Sequence, residues 1–191
     1  MTPPPVTSGT RLPEIWSAPL TPRPDVRGHF VEVFRASTLA AATGVDLPVT
    51  QASLSVSRRG VIRGVHYFPD GPGQTKVVSC VHGAVLDCVV DLRVDSPTFG
   101  RWTATRLDQD APHALYVPRG FGHSFVSLTE GAVMLYLCDV EYVPDRELTV
   151  HPFDADLGLP WPAEPEPIVS ERDLAAPTLR EARRAGLLPT I

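Results

Sequence analysis

Residues 76–94 read KVVSCVHGAVLDCVVDLRV, two apolar, valine-rich runs split by His82-Gly83. Short β-branched runs broken by a glycine turn read as paired strands with a hairpin-like interruption rather than as a helix. The pattern spreads outward on both sides. Upstream, QASLSVS (51–57) alternates strictly, and GVIRGVHYF (60–68) sets two glycines among β-branched residues. Downstream come RWTATRL (101–107), HALYVP (113–118), HSFVSL (123–128) and AVMLYLCDVEYV (132–143). Turn signals fall between them: PDGPG (69–73), HG (82–83), DSPTFG (95–100), DQDAP (108–112), PRGFG (118–122) and TEG (129–131). They recur at roughly the 8–12-residue spacing of all-β sandwiches, jelly rolls and small barrels.

Helical signals are confined to the ends. Ser37 is expected to N-cap a short helix, TLAAATG, stopped by Gly44, and 174–189 reads as an amphipathic C-terminal helix with Ala175, Leu179 and Ala182 on one side. Before the first helix, Glu14–Leu20 suits a short strand, TPRPDVRGHF (21–30) a turn, and the alternating HFVEVFR (29–35) another strand. Residues 1–12 are rich in Pro, Thr and Ser and are expected to be loose, and AEPEPI (163–168) to be extended. No linker or repeat breaks the chain, so residues 1–191 are read as one domain with its core at about 14–186.

Composition narrows the function. The formal charge is −5, which opposes binding to a nucleic-acid backbone. Twenty-one prolines in 191 residues argue against a helical bundle. The three cysteines lack CxxC or framework spacing, so no zinc site or disulfide scaffold is expected, and Cys80 and Cys88 read as small buried hydrophobes. No secretory signal and no apolar run of membrane-spanning length is visible, which makes the reducing cytoplasm the expected setting. No glycine-rich nucleotide loop is present.

Several side chains could carry chemistry, and each has an ordinary alternative. His66 follows Gly64, which permits a bulge that would turn His66 and Arg63 to one face. Lys76, the one lysine in the chain, is either a guard on a strand edge or a charge aimed into a barrel. Tyr136 could be a core tyrosine, and Asp173 a cap of the C-terminal helix. His123 ends Pro118-Arg119-Gly120-Phe121-Gly122-His123, the P-x-G-x-x-H spacing of the second cupin motif. Metal-binding cupins add a His-x-His pair, which this sequence lacks, so no metal centre is expected.

Taken together, the chain resembles the dTDP-4-dehydrorhamnose 3,5-epimerase family. The resemblance lies in DVRGHFVEVF (25–34), QASLSVSRRGVIRGVHY (51–67), GQTKVVSC and its continuation (73–102), LYVPRGFGHSFVSL (115–128), LYLCDVEYVPDRE (135–147), DLGLPWP (156–162) and SERD (170–173). It implies a cupin-type jelly roll acting on a dTDP-4-keto-6-deoxyhexose with no cofactor, in deoxysugar biosynthesis. By that resemblance His66 is the general base, Asp173 its carboxylate partner, Lys76 the cation beside the substrate ketone and Tyr136 the proton donor on the opposite face. Arg63, His123, Gln51, Ser53 and Tyr142 match substrate-binding positions. Arg27, Phe30 and Glu32 match residues that a homodimer presents to the nucleotide across an exchanged N-terminal strand. The chemistry is coherent: a C–H beside a ketone loses its proton to a base, the enolate needs positive stabilisation, and a donor on the other face completes inversion. An imidazole, with an ordinary pKa of ~6.5, suits proton abstraction near neutrality. The chain departs from the family in having Ser53 where Asn is common and Val65 where Leu is usual. The motifs are shared by enzymes acting at C3, at C5 or at both. Two alternatives remain at this level: a metal-dependent cupin dioxygenase or isomerase, and a sugar-binding jelly roll without catalysis.

Overall fold

A computed structural model describes residues 6–69 and 73–190. The turn expected at 69–73, and the part of the loose N-terminus before residue 6, therefore lie wholly or partly outside the described residues. In chain order the first strands are β1 (Val6–Gly9), β2 (Trp16–Pro19), β3 (Arg23–Asp25) and β4 (Gly28–Phe30), followed by the helix α1 (Ala36–Thr43). Next come β5 (Gln51–Ser57), β6 (Ile62–Tyr67), β7 (Lys76–His82), β8 (Ala84–Asp91) and β9 (Trp102–Asp108). The chain continues with β10 (His113–Val117), β11 (Phe121–Ser127), β12 (Ala132–Cys138), β13 (Leu148–Thr149), α2 (Glu171–Leu174) and α3 (Leu179–Arg184).

The strands form a six-stranded sheet, ordered β1-β9-β8-β11-β6-β13, and a five-stranded sheet, ordered β2-β10-β7-β12-β5. All pairings within both sheets are antiparallel. The sheets pack face to face as a cupin-like jelly roll, the fold expected. Strand alternation explains the packing, since side chains two apart share a face. Val78 and Cys80, Leu115 and Val117, and Met134 from one sheet meet Val85, Val89, Phe121 and Phe125 from the other. Each such side chain, fully buried, contributes roughly 1.5–3 kcal/mol. The opposite parity is covered from outside. Leu157, Leu179, Ala182 and Leu188 of the C-terminal segment pack on Val65, Tyr67, Val90 and Leu92. Leu39 of α1 and Leu47 pack on Val77, Ala114 and Tyr116.

Several local expectations change. The His82-Gly83 turn does not close a hairpin: β7 and β8 belong to different sheets, and the turn carries the chain across the sandwich. Apolar runs and a glycine specify a reversal, but not which partner each strand takes. Residues 21–30 are more than a turn, because β3 and β4 pair as a small hairpin outside both sheets. The strand expected over 29–35 stops at Phe30, where no further neighbour pairs with it. Residues 6–9 are not loose but pair with β9 at the sheet edge. The first helix starts at Ala36 with Arg35 at its N-cap position, so Ser37 lies inside it, while Gly44 ends it as expected in the left-handed conformation. The C-terminal helix starts only at Leu179, leaving Ala175 exposed beyond the end of α2.

Candidate active site

The interior row of each strand changes character towards one end of the sandwich. On β7 it runs from Cys80 and Val78 to Lys76; on β12 from Met134 to Tyr136 and Cys138. Strand register brings these polar ends together, with Cys138 opposite both Lys76 and Gln51, and His66 opposite His123. There the packed core gives way to a cleft of about 490 Å³. Its walls include His66, Lys76, Tyr136, His123, Arg63, Gln51, Ser53 and Tyr142 from the expected set. Gln74, Ser55, Phe125 and Glu147 also line it.

The bulge at Gly64 is what aims two of these side chains. β6 and β11 shift register between His123 and Phe125, so Arg63 and His66, three apart, both reach the cleft. Gly64 has φ +102, and a Cβ there would collide with the His123 carbonyl oxygen. Only glycine meets both demands.

Asp173 comes from the far end of the chain and backs His66 without itself lining the cleft. Its Oδ1 lies 2.8 Å from His66 Nε2, its Oδ2 accepts from the Gly64 N–H at 3.3 Å, and the Ser170 hydroxyl caps α2 from below. It is therefore not the cap of the C-terminal helix. Burial pushes the Asp173 carboxyl up, but the His66 hydrogen bond and charge and the Gly64 and Ser170 contacts outweigh it and hold it below the usual carboxylate range. An ionised Asp173 accepting from Nε2–H leaves Nδ1 as the basic nitrogen of His66.

Lys76 lies on the central strand of its sheet, not on an edge, and is 7% exposed. Among the described residues no carboxylate forms an ion pair with it. The Tyr136 hydroxyl lies 3.0 Å from Ser55 Oγ, and its ring meets the His123 ring edge-on at 6.2 Å. Burial raises the Tyr136 hydroxyl well above the ordinary phenol range, opposed mainly by the Ser55 hydrogen bond. The hydroxyl therefore holds its proton more firmly than an ordinary phenol. His123 Nε2 is 2.7 Å from Asp87 Oδ2, a carboxylate with no exposure.

At the open rim, Gln51 donates to Ser53 Oγ and accepts from the Tyr142 N–H, and Arg172 donates to the Tyr142 hydroxyl. Arg27, Phe30 and Glu32 stand elsewhere in the same chain. Arg27 pairs with Asp25, Glu32 pairs with Arg35, and Phe30 is exposed; none lines the His66 cleft. Sequence reading missed Asp87, Ser55, Ser57, Gln74, Glu147 and Arg172. Ser55 and Ser57 share the parity of Gln51 in QASLSVS, and Asp87 is a lone charge in an apolar run; both signals were legible. Among the described residues no three His, Cys, Asp or Glu side chains converge to hold a metal ion.

A family model described as dTDP-4-dehydrorhamnose 3,5-epimerase matches residues 9–181. The chain belongs to the dTDP-4-dehydrorhamnose 3,5-epimerase family. A family member of that same name from Streptomyces griseus is 52% identical over 165 residues, covering 86% of this chain and 82% of that protein. The crystal structure of ChmJ, a 3'-monoepimerase from Streptomyces bikiniensis in complex with dTDP-quinovose, is similar with a TM-score of 0.90 and 45% identity, covering all of this chain and 93% of that one. NovW, a 4-keto-6-deoxy sugar epimerase from the novobiocin biosynthetic gene cluster of Streptomyces spheroides, is similar with a TM-score of 0.90 and 45% identity over 96% of this chain and 92% of its own. These dTDP-sugar epimerase family members are isomerases; none of the three is named a dioxygenase or a sugar-binding protein.

Proposed function

We propose that the protein epimerises a dTDP-4-keto-6-deoxyhexose at C3, C5 or both, in a deoxysugar pathway of the antibiotic or rhamnose type. The observation that carries this reading is the convergence of the His66–Asp173 pair, the buried Lys76 and the Tyr136 hydroxyl on one cleft. His66 Nδ1 removes the proton beside the C4 ketone, and Asp173 stabilises the resulting imidazolium. The Lys76 ammonium neutralises the enolate oxygen. Tyr136 then delivers a proton to the opposite face. The ketone itself acidifies the C–H bond, so the step asks for no external electron sink. Arg63, His123, Gln51, Ser53 and Tyr142 hold the sugar nucleotide, the guanidinium facing its diphosphate.

Incubation in D2O with dTDP-4-dehydro-6-deoxyglucose, followed by NMR, tests the reading. Deuterium should wash into C3, C5 or both, and the carbon labelled identifies the position processed. No label at either carbon defeats the proposal.

We further propose a cytoplasmic homodimer in which a second copy brings Arg27, Phe30 and Glu32 to the nucleotide end of the cleft. The edge strand β5 turns Leu54 and Val56, 64% and 67% exposed, outward, and Phe30 is 67% exposed on the β3–β4 hairpin. Large apolar side chains left this open suit an interface. Light scattering should give twice the chain mass for the native protein and the chain mass for Val56→Glu. A native monomer at micromolar concentration removes the shared-site arrangement.

A further inference from the structure

The inward face of β5 is a row of small hydroxyls, and each one is engaged by a working group of the cleft. Ser53 Oγ accepts from Gln51 Nε2 at 2.9 Å. Ser57 Oγ accepts from Arg63 Nε at 3.1 Å. Ser55 Oγ lies 3.0 Å from the Tyr136 hydroxyl. Among the described residues this is the one hydrogen bond that the Tyr136 hydroxyl makes.

A hydroxyl pair can be bonded in two senses. If Tyr136 donates to Ser55, its proton points into the sheet and is lost to the sugar. If Ser55 donates to Tyr136, the phenol proton is free to rotate into the cleft. Only the second sense gives a proton donor. The same Ser55 O–H then meets a phenolate once the proton has gone, and a hydrogen bond to an ionised oxygen is about twice as strong as a neutral one. Ser55 is half-buried and is one of the residues that line the cleft.

We propose that Ser55 is the positioning residue of the proton donor: it donates to the Tyr136 oxygen, keeps the phenol proton aimed at the sugar, and relays the replacement proton. The inference rests on the epimerase reading above and adds a role for a residue outside its machinery. Protons balance. The phenol gives its proton to the carbanion carbon; the phenolate takes one from the Ser55 hydroxyl as Ser55 takes one from cleft water. The imidazolium of His66 returns its proton to water, so each cycle is neutral overall.

The test separates this role from general damage to the fold. Proton abstraction by His66 does not involve Ser55, so Ser55→Ala should still form the enolate. That enolate is then returned by His66 to its original face, giving exchange without inversion. In D2O with dTDP-4-dehydro-6-deoxyglucose, the ratio of deuterium wash-in to inversion should rise about tenfold in Ser55→Ala, less than the ~10²–10⁴-fold worth of the general acid itself because Tyr136 remains. KM should stay within about twofold, since Ser55 does not hold the nucleotide. Ser55→Thr, which keeps the hydroxyl, should return the ratio towards the native value. The proposal is overturned if exchange and inversion fall together, if the ratio does not change, or if the threonine variant behaves like alanine. Absence of wash-in with the native protein would instead sink the epimerase reading on which the proposal stands.

Discussion

His66→Ala should lower turnover by about three orders of magnitude and remove deuterium wash-in and inversion together, because no carbanion forms without the base. The size follows from the ~10²–10⁴-fold worth of a positioned general base. His66 is the cleft residue whose geometry gives it that role. Its Nε2 is committed to Asp173 at 2.8 Å, its orientation is set by the Gly64 bulge, and among the described residues no hydrogen bond engages its other nitrogen. Removing the ring leaves the groups proposed to hold the nucleotide untouched. Titration calorimetry with dTDP should therefore give a Kd within about twofold of the native value. Turnover above about one tenth of native would show that another group takes the proton.

Lys76→Met should cost about 10²–10³ in kcat, the range for removing one preorganised donor at a developing oxyanion. Here the argument is electrostatic. Lys76 sits on the central strand of its sheet, almost wholly buried, with no paired carboxylate among the described residues. A buried cation without a counterion is costly to keep. The arrangement makes sense if the anion is supplied by the reaction itself. Methionine has a similar length and no charge, so thermal melting should show the variant at least as stable as the native protein. Exchange and inversion should fall in the same proportion, since the enolate is the species destabilised. That outcome differs in kind from the one expected of Ser55→Ala. Undiminished turnover in Lys76→Met would remove lysine from the mechanism.

Much of this was legible in the sequence because strand alternation is a strong signal. The runs at 51–57, 60–68, 76–94 and 113–143 supply most of the strands of both sheets. Pairing was not legible. Nothing local in VHGAV tells β7 and β8 to part company, since that choice depends on which distant strands each must bury against. The same limit explains residues 31–35: alternation was present, but a strand also requires a neighbour. In the cleft, residues whose type was odd for their place were found easily, such as a lone lysine opening an apolar run. Ser55, Ser57 and Asp87 were passed over because serine on a strand is commonplace and one acid among valines draws the eye less than a histidine. Their meaning came from partners 81, 6 and 36 positions away.

His66 and Asp173 are separated by 107 positions, and the acid arrives on a segment anchored by Leu157, Leu179, Ala182 and Leu188 to the outer surface of the finished sandwich. Loosening that outer segment would therefore strip the imidazole of its carboxylate while leaving every strand pairing of the two sheets in place.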